Sequence, residues 1–466
     1  MRKQRRVLKA VVAAATGGLL GLSAVPPAGA SSPTTTVTPS SASSGTAVTV
    51  SGRDFPRRTT GVVTLYGNAV AAIRTGPKGT FSTSFTVPHD APPGPAAVTS
   101  SAGGASATSS LTVTSSSTST TVPASQSTGF IGRSGRSLTL NGAPWRFTGY
   151  NVYPLTTDYA VNYGCGENYT AADVDALFAS LRPHSVVRLW AFQQLAWNKN
   201  TTSRDFTTID RVVSAAERSN QKVILVLADQ WAGCGEVFKT ESWYAGGYTG
   251  VVHDGTSIGA MTNSLSFWDW MRLVVARYAN SPAVAMWEPV NEPAASAYKG
   301  SPCSSTAAAS LRSFFDAVGA EIHRLAPKHL VSSGLQGSGQ CGAQNGEYET
   351  LHQSPGIDVG SVHDWWVDLA PMPGDQWNGM QVRIDQMARV GKPLFVGEVG
   401  MNASDTVAGY MSLAERRDKF QAKMDAQFPS GIVGFLPWYR SKVVSEKWFN
   451  IADGDPTLAL MHDYAL

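Results

Sequence analysis

Charged residues make up only 15% of the 466 residues, and 37 Lys plus Arg stand against 34 Asp plus Glu. A formal charge of +3 is too small to build a phosphate-binding surface, so no nucleic-acid partner is expected. Beyond the first thirty residues there is no apolar run of about 18 residues, the length a membrane-spanning helix needs. The chain lacks a C-x-x-C pair, an H-E-x-x-H zinc motif and a phosphate-binding loop. Two glycine motifs do occur and fail on context. Gly255 to Gly259 spells G-x-S-x-G, but inside a Gly-rich stretch rather than a strand-turn-helix. Gly337 to Gly342 spells G-x-G-x-x-G, yet Gly346 follows soon and no helix can continue from it. No metal and no cofactor are expected.

What is present begins with a leader. Arg2, Lys3, Arg5 and Arg6 give a basic start, Val11 to Val25 is mostly small and apolar, and Ala28-Gly29-Ala30 has the form of a signal-peptidase site. Residues 1–30 therefore read as a signal peptide, and the mature protein as extracellular, with no membrane attachment. The Arg5-Arg6 pair leaves twin-arginine export open beside the ordinary route.

Residues 31–114 differ in texture from the rest. They are rich in Ser, Thr, Val, Gly and Pro, hold Asp54 and Asp90 as their only acids, and contain no Trp or Cys. Short alternating runs at Ala47–Ser51, Val62–Tyr66, Thr80–Val87 and Ser110–Thr114 are separated by turn residues, which predicts a small antiparallel sandwich of six or seven strands. The stretch from Val37 to Phe55 resembles the opening strands of bacterial immunoglobulin-like modules. The only aromatics, Phe55, Tyr66, Phe81 and Phe85, are too few for a sugar-stacking surface, so a spacer is favoured over a binding module. Residues 115–128 are almost wholly Ser and Thr and read as a flexible tether.

From residue 129 to 466 short apolar runs alternate with longer amphipathic ones. Eight candidate strands are Arg146–Asn151, Val186–Trp190, Val223–Leu227, Val284–Pro289, His329–Ser333, Val359–His363, Leu394–Glu398 and Gly434–Trp438, the fifth being the least clear. Helix-like segments lie at Ala171–Leu181, Phe206–Ser219, Ser264–Tyr278, Ala307–Leu325, Gln376–Val390 and Leu413–Gln427. Buried strands alternating with helices predict an α/β fold, a closed (β/α)8 TIM barrel behind the all-β module. Four cysteines in an exported chain predict two disulfides among Cys165, Cys234, Cys303 and Cys341. Three pairings are possible. Cys165–Cys234 with Cys303–Cys341 is favoured, because each would join neighbouring loops of the barrel.

In such a barrel the chemistry belongs at the C-terminal strand ends. Two acids end apolar strands there, within Trp287-Glu288-Pro289-Val290-Asn291-Glu292-Pro293 and within Leu394-Phe395-Val396-Gly397-Glu398-Val399-Gly400. With VVRLWAF (Val186–Phe192), HDW (His363–Trp365) and FLPWY (Phe435–Tyr439), these fragments resemble, in order, the motifs of retaining glycoside hydrolases of clan A, family 5. The resemblance implies Glu292 as acid/base and Glu398 as nucleophile, about 5–5.5 Å apart across the mouth. It implies a raised pKa for the acid, with Arg188 holding Glu398 ionised. Asn291 would bond the sugar 2-hydroxyl, Trp438 would floor the sugar, and Arg188, Trp190, Gln230, His363 and Trp365 would complete the substrate-binding set. Glu288 would point into the barrel as a buried, hydrogen-bonded acid.

Two departures from that pattern stand out. Trp365 occupies the place where Tyr usually contacts the nucleophile, and a Trp has no hydroxyl to offer. After the third strand the chain reads LADQWAGCG, Leu227 to Gly235, where many relatives carry His. This resembles the β-mannanase branch, with Gln230 as the amide that precedes the Trp. All 13 Trp lie in the barrel part, and Trp190, Trp231, Trp243, Trp365 and Trp366 fall in candidate loops, which fits a polysaccharide substrate. The expectation is a secreted, monomeric, retaining endo-β-1,4-mannanase. Endo-β-1,4-glucanase or exo-β-glycosidase action stays open, as does a carbohydrate-binding protein on an inactive barrel.

Overall fold

The computed structural model describes residues 32–43, 45–88, 91, 94–114, 129–251, 264–365, 369–443 and 449–466. The leader, the 115–128 tether, the Gly255–Gly259 motif and Trp366 lie outside the described residues. The chain divides near Thr112 into two compact units.

In the first unit eight strands are present, rather than six or seven. Thr34–Thr38, Ala47–Arg53 and Phe81–Thr86 form one three-stranded sheet. Ser41–Ser43, Thr60–Leu65, Asn68–Arg74, Gly94–Ala102 and Ala105–Thr114 form a second. The undercount has a simple cause: several of these strands are built from Ser, Thr and Ala, whose weak hydrophobic contrast hides the alternation that the burial pattern displays. Phe55, Phe81 and Phe85 are all buried.

The second unit is the barrel. Its strands are β1 (Phe147–Asn151), β2 (Val186–Trp190), β3 (Lys222–Val226), β4 (Val284–Glu288), β5 (Leu330–Val331), β6 (Gly360–Asp364), β7 (Leu394–Val399) and β8 (Ile432–Pro437). They pair in parallel in the order β5-β4-β3-β2-β1-β8-β7-β6, and a parallel bridge from Ser332 to Val359 joins the two ends of that sheet. Nearly every strand residue is buried, as expected where helices cover one face and the barrel interior the other.

Among the described residues each strand is followed by a helix of two turns or more: α1 (Ala171–Ala179), α2 (Thr207–Arg218), α3 (Phe267–Tyr278), α4 (Ala307–Leu325), α5 (Gly346–His352), α6 (Met380–Val390), α7 (Leu413–Gln427) and α8 (Pro456–Asp463). Their ends have local causes. Thr170 and Asp173 form a reciprocal capping box on α1, and Ser266 and Ser412 accept the third backbone N–H of α3 and α7. Asp455 caps α8 with Pro456 in its first turn. Sequence periodicity missed α5 and α8, which are too short to show a full apolar stripe.

A meander of Ile131–Ser134, Ser137–Leu140 and Ala143–Trp145 was also not anticipated. Its Ile131, Leu138, Leu140 and Trp145 cluster with Phe147, Ile224, Met286 and Phe395, residues near the starts of barrel strands, so the meander plugs the bottom of the barrel. The cysteines pair as Cys165–Cys234 and Cys303–Cys341, with Cα separations of 5.2 and 5.0 Å.

Two histidines are sealed into this unit as neutral rings. His329 accepts the Trp287 indole N–H on Nδ1 (3.0 Å) and donates from Nε2 to the Ser281 carbonyl (2.9 Å). His352 donates from Nδ1 to the Tyr348 carbonyl (2.7 Å) and accepts the Ser333 hydroxyl on Nε2 (3.0 Å). A second proton on His329 would face the Trp287 N–H, which cannot accept it. Burial pushes His329 down to about 4 and His352 down to about 3. The unfolded chain binds these protons near pH 6.5 and the folded one only near 3–4, so their contribution is complete above pH 6.5 and declines as the pH falls. Denaturant unfolding between pH 6.5 and 5 should lose stability toward a limiting slope of about 1.4 kcal/mol per pH unit for each histidine. A flat stability curve over that range would contradict the assignment.

Candidate active site

The site is built around a cation. Arg188, on β2, points into the barrel and is fully buried. All five of its N–H donors are used. Nε (3.2 Å) and Nη2 (2.5 Å) donate to Oε1 of Glu288, Nη1 donates to Asn151 (2.9 Å) and to Oε1 of Glu398 (2.7 Å), and Nη2 also donates to Asn291 (2.6 Å). Glu288 is the buried, hydrogen-bonded acid that the sequence suggests, its other oxygen accepting the Ser332 hydroxyl at 3.1 Å. Arg188 is thus a structural cation beneath the site and not a sugar contact, because no donor remains to reach the cleft.

Above it open the ends of β4, β6 and β7. The β6–β7 pairing shifts register after Val362, which sets His363 opposite Glu398. Asp364 faces the other way and is locked by Lys423 of α7 at 2.8 Å, so the alternation of the chain brings His363 and Trp365 to the cleft side. One oxygen from each of Glu292 and Glu398 and a ring nitrogen of His363 lie within 4.8 Å of one another. The His363 Nδ1 is 2.8 Å from Glu292 and 3.6 Å from Glu398. These donors bond one another and Arg188 instead of converging on a vacant point. His363 is fully buried, so it orients the carboxylates and does not touch a substrate.

An indole N–H reaches each glutamate. Trp231 donates to Glu292 at 2.5 Å and Trp365 to Glu398 at 3.2 Å. Trp365 therefore makes, through nitrogen, the contact for which it lacks a hydroxyl. Gly400 is the reason it fits: a Cβ there would stand 2.1 Å from the Trp365 ring. Glu292 has a φ of +52°, a left-handed conformation that a side-chain-bearing residue adopts at a cost, and its N–H is pinned to the Gly334 carbonyl at 2.8 Å.

The charges differ from the expectation of a raised acid and a lowered nucleophile. Burial raises the Glu292 carboxyl, but the directly bonded His363 and the Trp231 N–H outweigh it and hold the group below the ordinary range. Burial pushes Glu398 up, outweighing the pull of His363 and Arg188. The His363 Nε2 is buried without a partner, and its Nδ1 faces Glu292.

Asn291 is clamped from two sides, Oδ1 by Arg188 and Nδ2 by Asp229 at 2.9 Å. Asp229, which sequence reasoning missed, lines the cleft at the end of β3 and also accepts the backbone N–H groups of Trp231 and Gly233. Trp438 lies on Tyr153 with ring planes 5° apart, and Trp190 stacks on Phe192 below. Tyr153, Trp190, Trp231, Trp365 and Trp438, with Gln336, wall a cleft of about 400 Å³ that holds both glutamates.

Two further sequence assignments, beside those of Arg188 and His363, are corrected. Gln230 is fully buried and cannot bind substrate: its oxygen accepts the Tyr244 hydroxyl and the Ala294 N–H, and its nitrogen donates to the Lys239 carbonyl. The bridge pairing Asp229 with Asn291 turns the preceding acid, not the amide, toward the cleft. Trp243 lies in a one-turn helix, buried against Tyr244, Phe267 and Phe314, and is a core residue.

A parallel-stranded barrel with two glutamates facing each other over an aromatic cleft has the layout of a glycoside hydrolase. Comparison with known proteins agrees. The model for the family described as GH family 5 beta-mannosidase-like matches residues 271–428. The chain is 26% identical over 312 residues to mannan endo-1,4-beta-mannosidase 8 of Oryza sativa subsp. japonica, covering 58% of this chain and 80% of that one. It is 24% identical over 337 residues to the probable mannan endo-1,4-beta-mannosidase C of Aspergillus terreus, covering 63% and 78%. Among solved structures, the endo-1,4-beta-mannanase of Rhizomucor miehei superposes with a TM-score of 0.52 at 20% identity, over 72% of this chain and 97% of that one. The chain is a glycoside hydrolase.

Two outcomes follow from this geometry. Arg188→Leu leaves Glu288 and Glu398 buried and unpaired, and should destabilise the fold by about 3–5 kcal/mol in denaturant unfolding. Trp365→Phe removes a hydrogen bond to the ionised form of Glu398. Its carboxyl should rise further and the acid limb of the kcat/KM profile should move to higher pH, whereas an unshifted limb would show that the N–H has no electrostatic role.

Proposed function

We propose that this chain is an endo-β-1,4-mannanase that cleaves by double displacement with retention. The observation that carries the mechanism is the closeness of Glu292 and Glu398, whose oxygens lie within 4.8 Å. That spacing suits direct attack by a carboxylate and leaves no room for the water that an inverting enzyme places between sugar and base. The mannan specificity rests on the relatives named above.

In the first step ionised Glu398 attacks the anomeric carbon and the glycosidic C–O bond breaks. The leaving oxygen takes the proton from Glu292. In the second, water gives a proton to Glu292 and attacks the same carbon, releasing Glu398 as carboxylate. A bound sugar excludes water from Glu292 and adds to its burial, which favours the protonated form the first step needs. Asn291, held by Arg188 and Asp229, offers its remaining N–H to the sugar 2-hydroxyl. Trp438 supplies the apolar floor. Residues 1–30 act as an export signal and residues 31–114 as an immunoglobulin-like spacer, a role supported by the burial of all three of its Phe residues. The enzyme works as an extracellular monomer on a polysaccharide. Among the described residues no helix is long and apolar enough to cross a membrane.

Reducing-sugar release should be largest from mannan or glucomannan in a panel that includes carboxymethylcellulose and xylan. Glu398→Ala should abolish it, and Glu292→Ala should lower it by about 10²–10⁴-fold. A first-formed product of inverted anomeric configuration, seen by NMR, would sink the mechanism. Release from carboxymethylcellulose alone would replace the substrate.

A further inference from the structure

The loop after β5 holds the rejected G-x-G-x-x-G motif, and the reaction described above assigns it no role. It is welded to the catalytic residues. The Gly334 carbonyl accepts the Glu292 N–H at 2.8 Å, and the Gln336 carbonyl accepts the His363 N–H at 2.8 Å. Gly334 has a φ of +62°, and a Cβ there would stand 2.3 Å from the Val290 carbonyl oxygen. At its far end the loop is fixed by the Cys303–Cys341 bridge and by the Ala295 N–H on the Cys341 carbonyl at 2.9 Å. The Gln336 side chain is therefore carried on rigid backbone, and it lines the cleft beside Glu292.

Its amide is oriented as well. Gln340 donates from Nε2 to the Gln336 Oε1 at 2.5 Å, which leaves the Gln336 NH2 as the end available to the cleft. Asn291, the expected contact to the sugar under attack, is tied to Asp229 on the β3 side of Glu292. Gln336 lies on the opposite, β5 side. The acid stands between the sugar that stays and the group that leaves, so the β5 side belongs to the leaving group.

Resting on the proposed function, we infer that Gln336, oriented by Gln340, donates a hydrogen bond to a hydroxyl of the departing sugar, and holds an incoming sugar acceptor in the same place. In transfer, the acceptor hydroxyl gives its proton to Glu292, its oxygen bonds to the anomeric carbon, and the Glu398 ester bond breaks. The reaction is the reverse of the departure step with a different alcohol.

The test compares two leaving groups in the full chain. Against mannotetraose, Gln336→Ala should lower kcat/KM about five- to tenfold, the worth of one neutral hydrogen bond. Against 4-nitrophenyl β-mannobioside, whose leaving group carries no sugar hydroxyl, the loss should be at least fivefold smaller. The ratio of transfer to hydrolysis products at high mannotetraose concentration should fall in parallel. Gln340→Leu, which frees the Gln336 amide to rotate, should give a smaller loss of the same kind. Equal losses on both substrates, or none on either, would overturn the inference while leaving the proposed function standing. An unaltered chain that cleaves neither substrate would overturn both.

Discussion

Arg188 is a cation sealed inside a barrel, and that placement is tolerable only because its five N–H groups all find acceptors. An isolated buried guanidinium would cost far more than a domain's whole stability. Its four partners are drawn from three strands or their ends: Asn151 on β1, Glu288 on β4, Asn291 just beyond β4, and Glu398 on β7. Burying the cation therefore fixes the distance across the barrel between the strands that carry the reacting groups. The fork is planar and rigid, so it transmits angle as well as charge. Glu398 reaches the cleft with one oxygen already held, and Asn291 arrives with its amide already oriented.

The layer above follows from that base. Gly397 and Gly400 flank Glu398 because side chains there would strike Ser361, His363 and the Trp365 ring. The left-handed backbone at Glu292 is affordable only in a frame this well determined, with its N–H tied to Gly334 and its carboxylate tied to His363 and Trp231. Strain at Glu292 and close packing at Glu398 are two consequences of the same crowded mouth.

The sequence marked out Asn291, Glu292, Glu398 and Trp438 because each lies at or just past the end of an apolar strand, where a charge or an indole stands out, and the structure brings all four to one cleft. It misled at Gln230 because the face a residue presents after a strand changes with a shift of one position. Asp229 and Gln230 are neighbours in the chain and opposites in space, and only the bridge to Asn291 decides between them. Trp243 misled for another reason: a Trp between strands looks like a loop residue until a one-turn helix folds it into the core. The bottom meander was legible in principle, since Gly135-Arg136 and Asn141-Gly142 are two-residue hairpin turns, but its short strands hide beside the stronger barrel pattern. The fifth strand was the least legible of the eight because it is only two residues long, and closure there runs through the single bridge from Ser332 to Val359.

The use of indoles on both glutamates has a consequence for the protons. An indole N–H donates, accepts nothing and does not titrate in the working range, unlike a phenol. With Trp231 on Glu292 and Trp365 on Glu398, each carboxylate has one neighbour that can hold it but cannot take up its proton. Arg188 below stays charged throughout, Glu288 and Glu398 holding its proton more firmly than burial loosens it. The aromatic side chains that wall the cleft include both of these donors, so the same rings shape the cleft and hold its two carboxylates. Tryptophan at position 365 thus supplies a fixed donor to Glu398.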